Sequence, residues 1–515
     1  MNPQSSRTRL DRRTILTILG PALAYPIAGI DPLLFNLNLA AVAQGLSIPS
    51  GSVGLLAGAA TLVVAATVLA VGNIGDRVGL KRVLLAGLGA NVVVSLASAC
   101  APGYGALLVL RFADGLTLAT MLGVALALVS ACVSSAVRAA ALGFVMAVYT
   151  VMYGITPLVG GWMVSVLGWR CLFLVSVPFA VAALALTARF VNEPARHGGG
   201  HLDILGVSLF GIALLGLVAG LGSLPDGLAL PATWVPLLLS TLSGFLLVRH
   251  SRRTPRPALD MQLFAQRLFL IAVVGTVAIN VFSAGLGTIV GQLGSYVLTL
   301  SAQTIGLLYL PGTLLVALGS VIAGRMVSAH TAHPVLVTGL IIVSTSGFVL
   351  AATASPVMAT AVIVVAIWLS NLGGFVTGTA AAEAILSRAQ PGNTGSVAAV
   401  QPAFAMAGYA IGPTLVILLL DVFYRHAWMT DAAAIGLSSA QAQQDVAAVT
   451  SVVTSSPGTS GITSTLTTLA QGLSLPDDFT LGVRITMAVM AAMPLLVALW
   501  ALLWRPHEEA GSPQL

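Results

Sequence analysis

The chain alternates between long stretches without Asp, Glu, Lys or Arg and short polar segments. A helix needs ~20 mostly apolar residues to cross the hydrocarbon core of a bilayer. Residues 14–75 (interrupted only by Asp31), 268–324 and 326–382 each hold two such crossings. Stretches with room for one crossing are residues 83–110, 115–137, 139–169, 171–188, 204–225, 227–248, 389–420 and 485–504. The pattern therefore predicts 14 membrane-spanning helices.

The distribution of basic residues is consistent with this number of spans. With the N-terminus inside, 18 of the 22 Lys and Arg residues fall on predicted inner segments. Arg170, Arg425 and Arg484 fall near the outer side, and Arg111 falls within a span. This asymmetry follows the positive-inside rule. We expect a multi-pass protein of the bacterial plasma or inner membrane with both termini in the cytoplasm.

Composition excludes a soluble protein, because 57% of the residues are hydrophobic and only 7% are charged, against about 25% charged in soluble domains. The net charge of +6 is explained by topology, so we expect no nucleic-acid partner. Cys100, Cys132 and Cys171 lack the spacing of a disulfide framework or a metal site. No phosphate-binding loop or hydrolase motif appears, so we expect neither an enzyme nor a cofactor.

The strongest local motif runs from Gly72 to Arg82 in the inner link between the second and third spans, and reads Gly-Asn-Ile-Gly-Asp-Arg-Val-Gly-Leu-Lys-Arg. Its glycines permit a tight turn, and its aspartate lies beside several cations, where it is able to pair across a helix interface. One interpretation is a conformational latch; the other is an ordinary basic loop. The latch residues are Gly72, Asp76, Arg77, Gly79, Lys81 and Arg82.

This segment resembles the loop motif of the major facilitator superfamily, Gly-x-Leu-Ala-Asp-Arg-x-Gly-Arg-Lys-Arg. Ile74, Gly75 and Leu80 depart from it. Four further segments resemble the fourteen-span drug:proton antiporter branch of that family: Ile30 to Asn36, Trp169 to Pro178, Leu202 to Gly206, and Pro257 to Phe264. The first of them has Leu33 in place of a Thr, and Ala40 stands where a Pro is usual. The resemblance covers roughly residues 14–505.

The resemblance implies an all-α polytopic fold of two six-helix bundles, spans 1–6 and 9–14, with two inserted helices between them. The expected organisation is a cytoplasmic N-terminal segment (1–13), a first bundle (14–190), inserted spans with basic linkers (191–267), a second bundle (268–505) with an outer loop (424–478), and a cytoplasmic tail (506–515).

The fifth span departs most from the branch. Its antiporter motif is represented by Gly143, Gly154, Pro157, Gly160 and Gly161, which favour a bent, closely packed helix. Met152 and Thr156 replace two of the usual glycines. These replacements weaken the case for antiport and leave the fold prediction intact.

Charges within membrane spans are costly and usually functional. Asp31, Arg111 and Asp114 form the predicted proton-coupling set, and Arg111 matches the superfamily's arginine of span four. Arg111 and Asp114 are three residues apart and share a helix face. Asp114 stands where a Gln is usual, and it either takes a proton or neutralises Arg111. The alternative for Asp31 is a helix-breaking role beside Pro32.

A fourth charge, Glu383, is assigned either to the cavity or to an ion pair with Arg388 at the inner interface. Lone polar residues in apolar spans are further cavity candidates, although such residues often bond a neighbouring helix instead. They are Asn36, Asn91, Tyr149, Asn280, Gln292, Asn371 and Gln401.

The resemblance implies proton-driven export of amphipathic or cationic compounds, antibiotics included. The expected partners are a small-molecule substrate, protons and membrane lipid, and the expected state is a monomer; the sequence does not identify any further partner chain. Two alternatives remain open. One is a transporter of the same fold for a metabolite, siderophore or lipid, and the other is a non-transporting sensor or scaffold.

Overall fold

The charge-free stretches become helices in the computed structural model of this chain. The structure describes residues 11–48, 50–194, 203–224, 230–254, 257, 259–293, 304, 307–308, 332–355, 360–388, 397–434, 438 and 475–504. The elements over these residues are α1 (Arg12–Leu37), α2 (Leu39–Gly45), α3 (Ser50–Val78), α4 (Leu80–Ala99), α5 (Tyr104–Cys132), α6 (Ser135–Leu167), a 3-10 helix (Trp169–Leu174), α7 (Ser176–Phe190), α8 (Ile204–Gly222), α9 (Pro231–Ser251), α10 (Met261–Phe264), α11 (Arg267–Gln292), α12 (Ala332–Thr353), α13 (Thr360–Leu386), α14 (Val400–Ala434) and α15 (Leu475–Leu503).

Thirteen helices over the described residues are long and apolar enough to cross a membrane. They coincide with thirteen of the predicted spans, which confirms the polytopic helical fold. The remaining span, the second crossing predicted within 268–324, falls mostly on residues 294–331, largely outside the described residues. The total of 14 therefore stays a prediction.

The segment expected to form the outer loop, 424–478, begins as a helix. The helix α14 continues through its first residues to Ala434. Asp421 and Arg425 are one turn apart on this extension and form an ion pair of 2.7 Å. Charges in such i,i+4 pairs are tolerated on a helix surface, so they do not end the helix.

In the first half of the chain, α1 packs against α5, α6 and α7, while α5 also packs against α3 and α4. The helices α3 and α5 approach closely at Gly115, where an added Cβ would lie 2.5 Å from the backbone oxygen of Ala60. Small residues permit such approach in a bilayer, where packing replaces the hydrophobic effect as the driving force.

In the second half, α11 packs against α13, α14 and α15, and α12 packs against α13 and α15. A Cβ on Gly373 would lie 2.7 Å from the backbone oxygen of Gly339, so α12 and α13 also meet at glycines. The hydroxyl of Ser344 donates to the backbone oxygen of Ala491 and joins α12 to α15.

The inserted helices α8 and α9 form a hairpin between the two halves. A Cβ on Gly216 of α8 would lie 2.5 Å from the backbone oxygen of Pro236 in α9. The helix α8 also contacts α3 and α14, which contact each other. Ala65, Leu214 and Ala407 form a small buried cluster where these three helices meet. The hairpin therefore lies along the seam between the halves.

Candidate functional site

A buried charge cluster joins α1 to α5. Arg111 Nη1 lies 2.5 Å from Asp31 Oδ1 and 2.9 Å from Asp114 Oδ2. The side chains of Arg111, Asp31 and Asp114 are 1%, 8% and 4% exposed. The pairing predicted from the spacing of Arg111 and Asp114 is confirmed, and Asp31 from α1 completes the cluster.

Asp31 does not break its helix. The helix α1 runs without interruption from Arg12 to Leu37 and accommodates Pro21, Pro26 and Pro32. The interpretation of Asp31 as a helix-breaking residue is therefore wrong. Packing of α1 against α5 places its carboxylate at Arg111, and a buried charge is retained when it has such a partner.

Polar and aromatic side chains enclose the cluster. Asn91 Nδ2 donates to Asp114 Oδ1 at 3.1 Å and to Thr117 Oγ1 at 3.1 Å. The Arg111 guanidinium lies 4.3 Å from the centroid of the Phe35 ring. Its Nε and Nη2 atoms are buried and have no hydrogen-bond partner among the described residues. Of the two alternatives for Asn91, a cavity position or a bond to a neighbouring helix, the structure shows the second.

The cluster contains two carboxyl groups and one cation. The carboxyl groups of Asp31 and Asp114 contact the same nitrogen, Arg111 Nη1. Two carboxylates beside one cation carry one excess negative charge, which a proton bound to one of them neutralises. With that proton the cluster is electrically neutral, whereas without it one negative charge is buried without compensation, at a cost of several kcal/mol. The arrangement is suited to hold and release one proton.

The predicted latch lies at the turn between α3 and α4. Asp76 and Arg77 are half-buried in the last turn of α3, and Arg82 is exposed. Gly79 has φ +118°, a conformation that favours glycine. Lys81 donates through its backbone N–H to Glu193 Oε1 at 3.1 Å, and its Nζ donates to the Ala188 backbone oxygen at 3.0 Å.

Glu193 is a residue that the sequence did not reveal. Its carboxylate accepts from the first turn of α4 and so satisfies one of the unpaired N–H groups of a helix start. A Cβ added to Gly79 would lie 2.6 Å from Glu193 Oε1. The latch turn, which includes the buried Gly72, is thus tied to the segment that follows α7.

The fifth-span residues all lie in α6, which is continuous through Pro157. Gly160 packs against Leu34 of α1, where an added Cβ would overlap that side chain. Gly154 is buried, and Gly143 and Gly161 lie on the same helix. The close packing of this helix against α1 is therefore confirmed at Gly160.

Tyr149 lies in an aromatic cluster with Tyr25, Tyr153 and Phe375. Asn371 is four residues before Phe375 on α13 and is half-buried. Gln401 Nε2 donates to the Gly378 backbone oxygen at 2.9 Å and links α14 to α13.

The other predicted cavity residues are placed differently. Asn280 donates to the Thr276 backbone oxygen of its own helix at 2.8 Å and packs beside Gly408, so it belongs to a helix interface. Asn36 is half-buried on α1, and its Oδ1 is buried without a partner among the described residues. The side chain of Gln292 lies outside the described residues.

The ion pair expected between Glu383 and Arg388 is not formed. Both residues are described, both are exposed, and no salt bridge joins them. Glu383 lies in α13, whereas Arg388 lies in the turn that follows the last helical residue, Leu386. Over the part of the chain that the structure describes, no group of three or more His, Cys, Asp or Glu residues is placed to hold a metal ion.

Three features together point to a transporter family. They are the two helical halves, a buried arginine on the fourth span, and a turn with glycine and aspartate after the second span. The family model described as Major Facilitator Superfamily matches residues 21–413. The chain belongs to the major facilitator superfamily. It is accordingly a multi-pass membrane protein with the fold of a secondary transporter.

Relatives within the major facilitator superfamily include efflux proteins. The chain is 26% identical over 423 residues to the multidrug efflux pump LfrA of Mycolicibacterium smegmatis, covering 82% of this chain and 83% of LfrA. It is 28% identical to the methyl viologen resistance protein SmvA of Salmonella typhimurium, covering 65% of this chain and 66% of SmvA, just under two thirds of that protein's length.

Solved structures agree on the fold. A bacterial homologue of the human lysosomal transporter Spinster, in an inward-facing and unoccupied conformation, matches with a TM-score of 0.61 at 14% identity. The match covers 96% of this chain and 97% of that structure.

Proposed function

We propose that this protein exports amphipathic or cationic small molecules in exchange for protons, by alternating access. The observation that carries the proposal is the buried cluster of Asp31, Arg111 and Asp114, which is neutral only with one bound proton. The likeness to LfrA and SmvA, named for multidrug efflux and methyl viologen resistance, supports the export direction and the substrate class.

The mechanism follows from the charge of the cluster. When the carboxyl pair holds a proton, the cluster is neutral and its burial against Phe35 is stable. When the proton leaves, the excess negative charge favours either the entry of a cationic substrate or a rearrangement that admits water. Because Asp31 lies on α1, a change in its charge acts on a helix that packs against α5, α6 and α7.

The latch supplies the conformational bias in this account. Asp76 and Arg77 lie in the last turn of α3, and the adjoining turn is held to α7 and to the segment after it by Lys81 and Glu193. A two-state equilibrium shifts only by the difference in interaction free energy between the states. Contacts at this turn that exist in one state only would therefore favour that state.

The proposal places the protein in the bacterial plasma membrane with both termini in the cytoplasm. The 18 basic residues on the predicted inner segments support this orientation. The conformational latch would then lie on the cytoplasmic side.

A same-fold transporter for a metabolite, siderophore or lipid is the second candidate. It is favoured by Met152 and Thr156 in the fifth span and by Leu33 in the first span, all of which depart from the antiporter branch.

The test is the accumulation of ethidium in cells with and without the protein, each with and without an uncoupler. Proton-driven export predicts lower accumulation with the protein, and the uncoupler removes the difference. Asp31→Asn provides a matched, transport-deficient control at equal expression. Accumulation that is the same with and without the protein would reject the multidrug assignment and leave the dedicated-solute candidate.

A further inference from the structure

The inserted helix α9 turns one continuous apolar face away from the rest of the protein. It is the least buried of the thirteen candidate spans. The large apolar side chains on this face are between 48% and 65% exposed, and they are Trp234, Leu238, Leu242 and Phe245. Another side of the helix packs on α8, where the Ser240 hydroxyl donates to the Ala213 backbone oxygen at 2.6 Å.

Three arginines continue this face at the predicted inner end of α9. Arg249 lies in the last turn of the helix, Arg252 and Arg253 follow it, and all three are exposed. Arg252 keeps helical backbone angles (φ −71°, ψ −18°), so the register of the helix extends to it. The members of the face are three or four residues apart, at positions 234, 238, 242, 245, 249 and 252. This spacing places the apolar side chains and the arginines along one side of the helix.

Among the described residues, no acidic side chain forms a salt bridge with these three arginines. The carboxylate of Asp203, at the start of α8, is buried and engaged elsewhere. Its Oδ1 lies 2.6 Å from His250 Nε2 and accepts the backbone N–H of Gly206 at 2.8 Å. The positive charge at the end of α9 is therefore available to an anion from outside the chain.

We propose that this face of α9, here called the lipid face, binds an anionic phospholipid of the cytoplasmic leaflet. The acyl chains lie along the side chains from Trp234 to Phe245, and the three arginines hold the phosphate. Guanidinium groups bind phosphate oxygens through paired, charge-assisted hydrogen bonds. Basic side chains at the cytoplasmic end of a span also attract anionic lipids. The inference goes beyond the proposed function, because it holds whichever solute the protein transports.

A second copy of the chain fits the lipid face less well. Two copies in one bilayer share the same orientation, so a symmetric dimer through α9 has its axis along the membrane normal. That axis brings the arginine ends of both helices to the same level, where like charges repel. A phospholipid instead supplies the opposite charge at that level and apolar chains along the rest of the face.

The test is native mass spectrometry of the purified full-length protein, titrated in detergent with phosphatidylglycerol or with phosphatidylcholine of the same acyl chains. The wild type is expected to bind phosphatidylglycerol at least about tenfold more tightly. Arg249→Gln and Arg252→Gln are each expected to raise the phosphatidylglycerol Kd about fivefold, and adding Arg253→Gln to both should abolish the preference. Leu242→Ala combined with Phe245→Ala should weaken both lipids by a similar factor, because acyl contacts do not distinguish headgroups.

The matched control is Arg388→Gln. Arg388 is also exposed and lies beyond the predicted inner end of another span, α13. Among the described side chains of α13, Val365 is the one large apolar residue that is exposed, so no comparable face leads to Arg388. The affinity for phosphatidylglycerol is expected to be unchanged in this variant.

Loss of the lipid preference in the triple Gln variant, with Arg388→Gln like the wild type, supports the proposal. Equal wild-type affinity for the two lipids overturns it, and so does an unchanged phosphatidylglycerol Kd in the triple variant. The same spectra report the oligomeric state. A dimer that disappears in the Leu242 and Phe245 double variant would assign the face to a second copy of the chain and overturn the proposal as well.

Discussion

Replacing Asp114 by Asn removes one of the two carboxyl groups that contact Arg111 Nη1. The remaining pair, Asp31 and Arg111, is neutral without a bound proton. The Asp114 carboxylate uses both of its oxygens as acceptors, one for Arg111 at 2.9 Å and the other for Asn91 at 3.1 Å. The amide of Asn has only one acceptor oxygen, so one of these hydrogen bonds is lost. We therefore expect a loss of about 1–2 kcal/mol in unfolding free energy, with the fold retained.

The effect on proton binding is larger. Two like charges about 4 Å apart repel by about 4 kcal/mol at an effective dielectric constant of about 20. Removing that repulsion makes proton binding by the cluster as a whole correspondingly less favourable, and each pH unit corresponds to about 1.4 kcal/mol. The pH optimum of Asp114→Asn is therefore expected to move to lower pH by about one to three units.

The assay is ethidium export from proteoliposomes as a function of pH at equal protein content. The matched control is Asp421→Asn, which removes a carboxylate paired with Arg425 on the outer extension of α14. Its partner is 47% exposed, and such pairs contribute about 0–1 kcal/mol, so its pH profile should follow the wild type. A wild-type pH optimum in Asp114→Asn would refute the shared-proton reasoning.

Four further outcomes are expected. Asp31→Asn should abolish export against a gradient while downhill exchange continues, as measured in vesicles with and without a gradient; uphill export by this variant would place coupling elsewhere. Asp76→Asn should lower flux about fivefold at near-normal expression. Unchanged flux would show that this segment is an ordinary turn and not a conformational latch. Gly79→Ala puts a side chain on a residue with φ +118° and places its Cβ against the Glu193 carboxylate. The free energy of unfolding should fall by about 1–2 kcal/mol in thermal unfolding, and an unchanged Tm would contradict this. Cysteines placed in 436–470 should react with an external reagent, and those in 190–200 should not; the reverse pattern would invert the topology.

Much of the fold was predictable because the bilayer imposes it locally. A long charge-free stretch has few alternatives to a membrane helix, so thirteen spans could be predicted before any tertiary contact was known. The pairing of Arg111 with Asp114 was equally local, since residues three apart share a helix face. The end of α14 was less predictable. Charged residues after an apolar run are compatible both with the end of a helix and with an i,i+4 ion pair inside a longer helix.

The rest of the site depends on contacts between distant parts of the chain. Asp31 and Arg111 are separated by 80 residues, and Lys81 and Glu193 by 112. Nothing in the local sequence around Glu193 marks it as a helix-capping group for α4. Such contacts follow from the packing of α1 on α5 and of α4 on α7, which hydropathy does not specify.

The aromatic cluster around Tyr149 was hidden for another reason. A tyrosine or phenylalanine in an apolar span usually packs in the core or faces lipid, so its type carries little information about ligands. Trp234, Leu238, Leu242 and Phe245, for example, form one exposed apolar face of α9. Only the arrangement around Tyr149, with rings contributed by both halves, distinguishes this cluster from such a surface.

The central claim is that the buried carboxyl pair exchanges a proton for substrate. It is tested most directly by recording proton movement with a pH-sensitive dye while ethidium flows down its gradient through proteoliposomes. The account predicts proton counterflow in the wild type and in Asp421→Asn, and none in the double variant of Asp31→Asn and Asp114→Asn, although ethidium still moves. Proton counterflow of wild-type size in the double variant would contradict it.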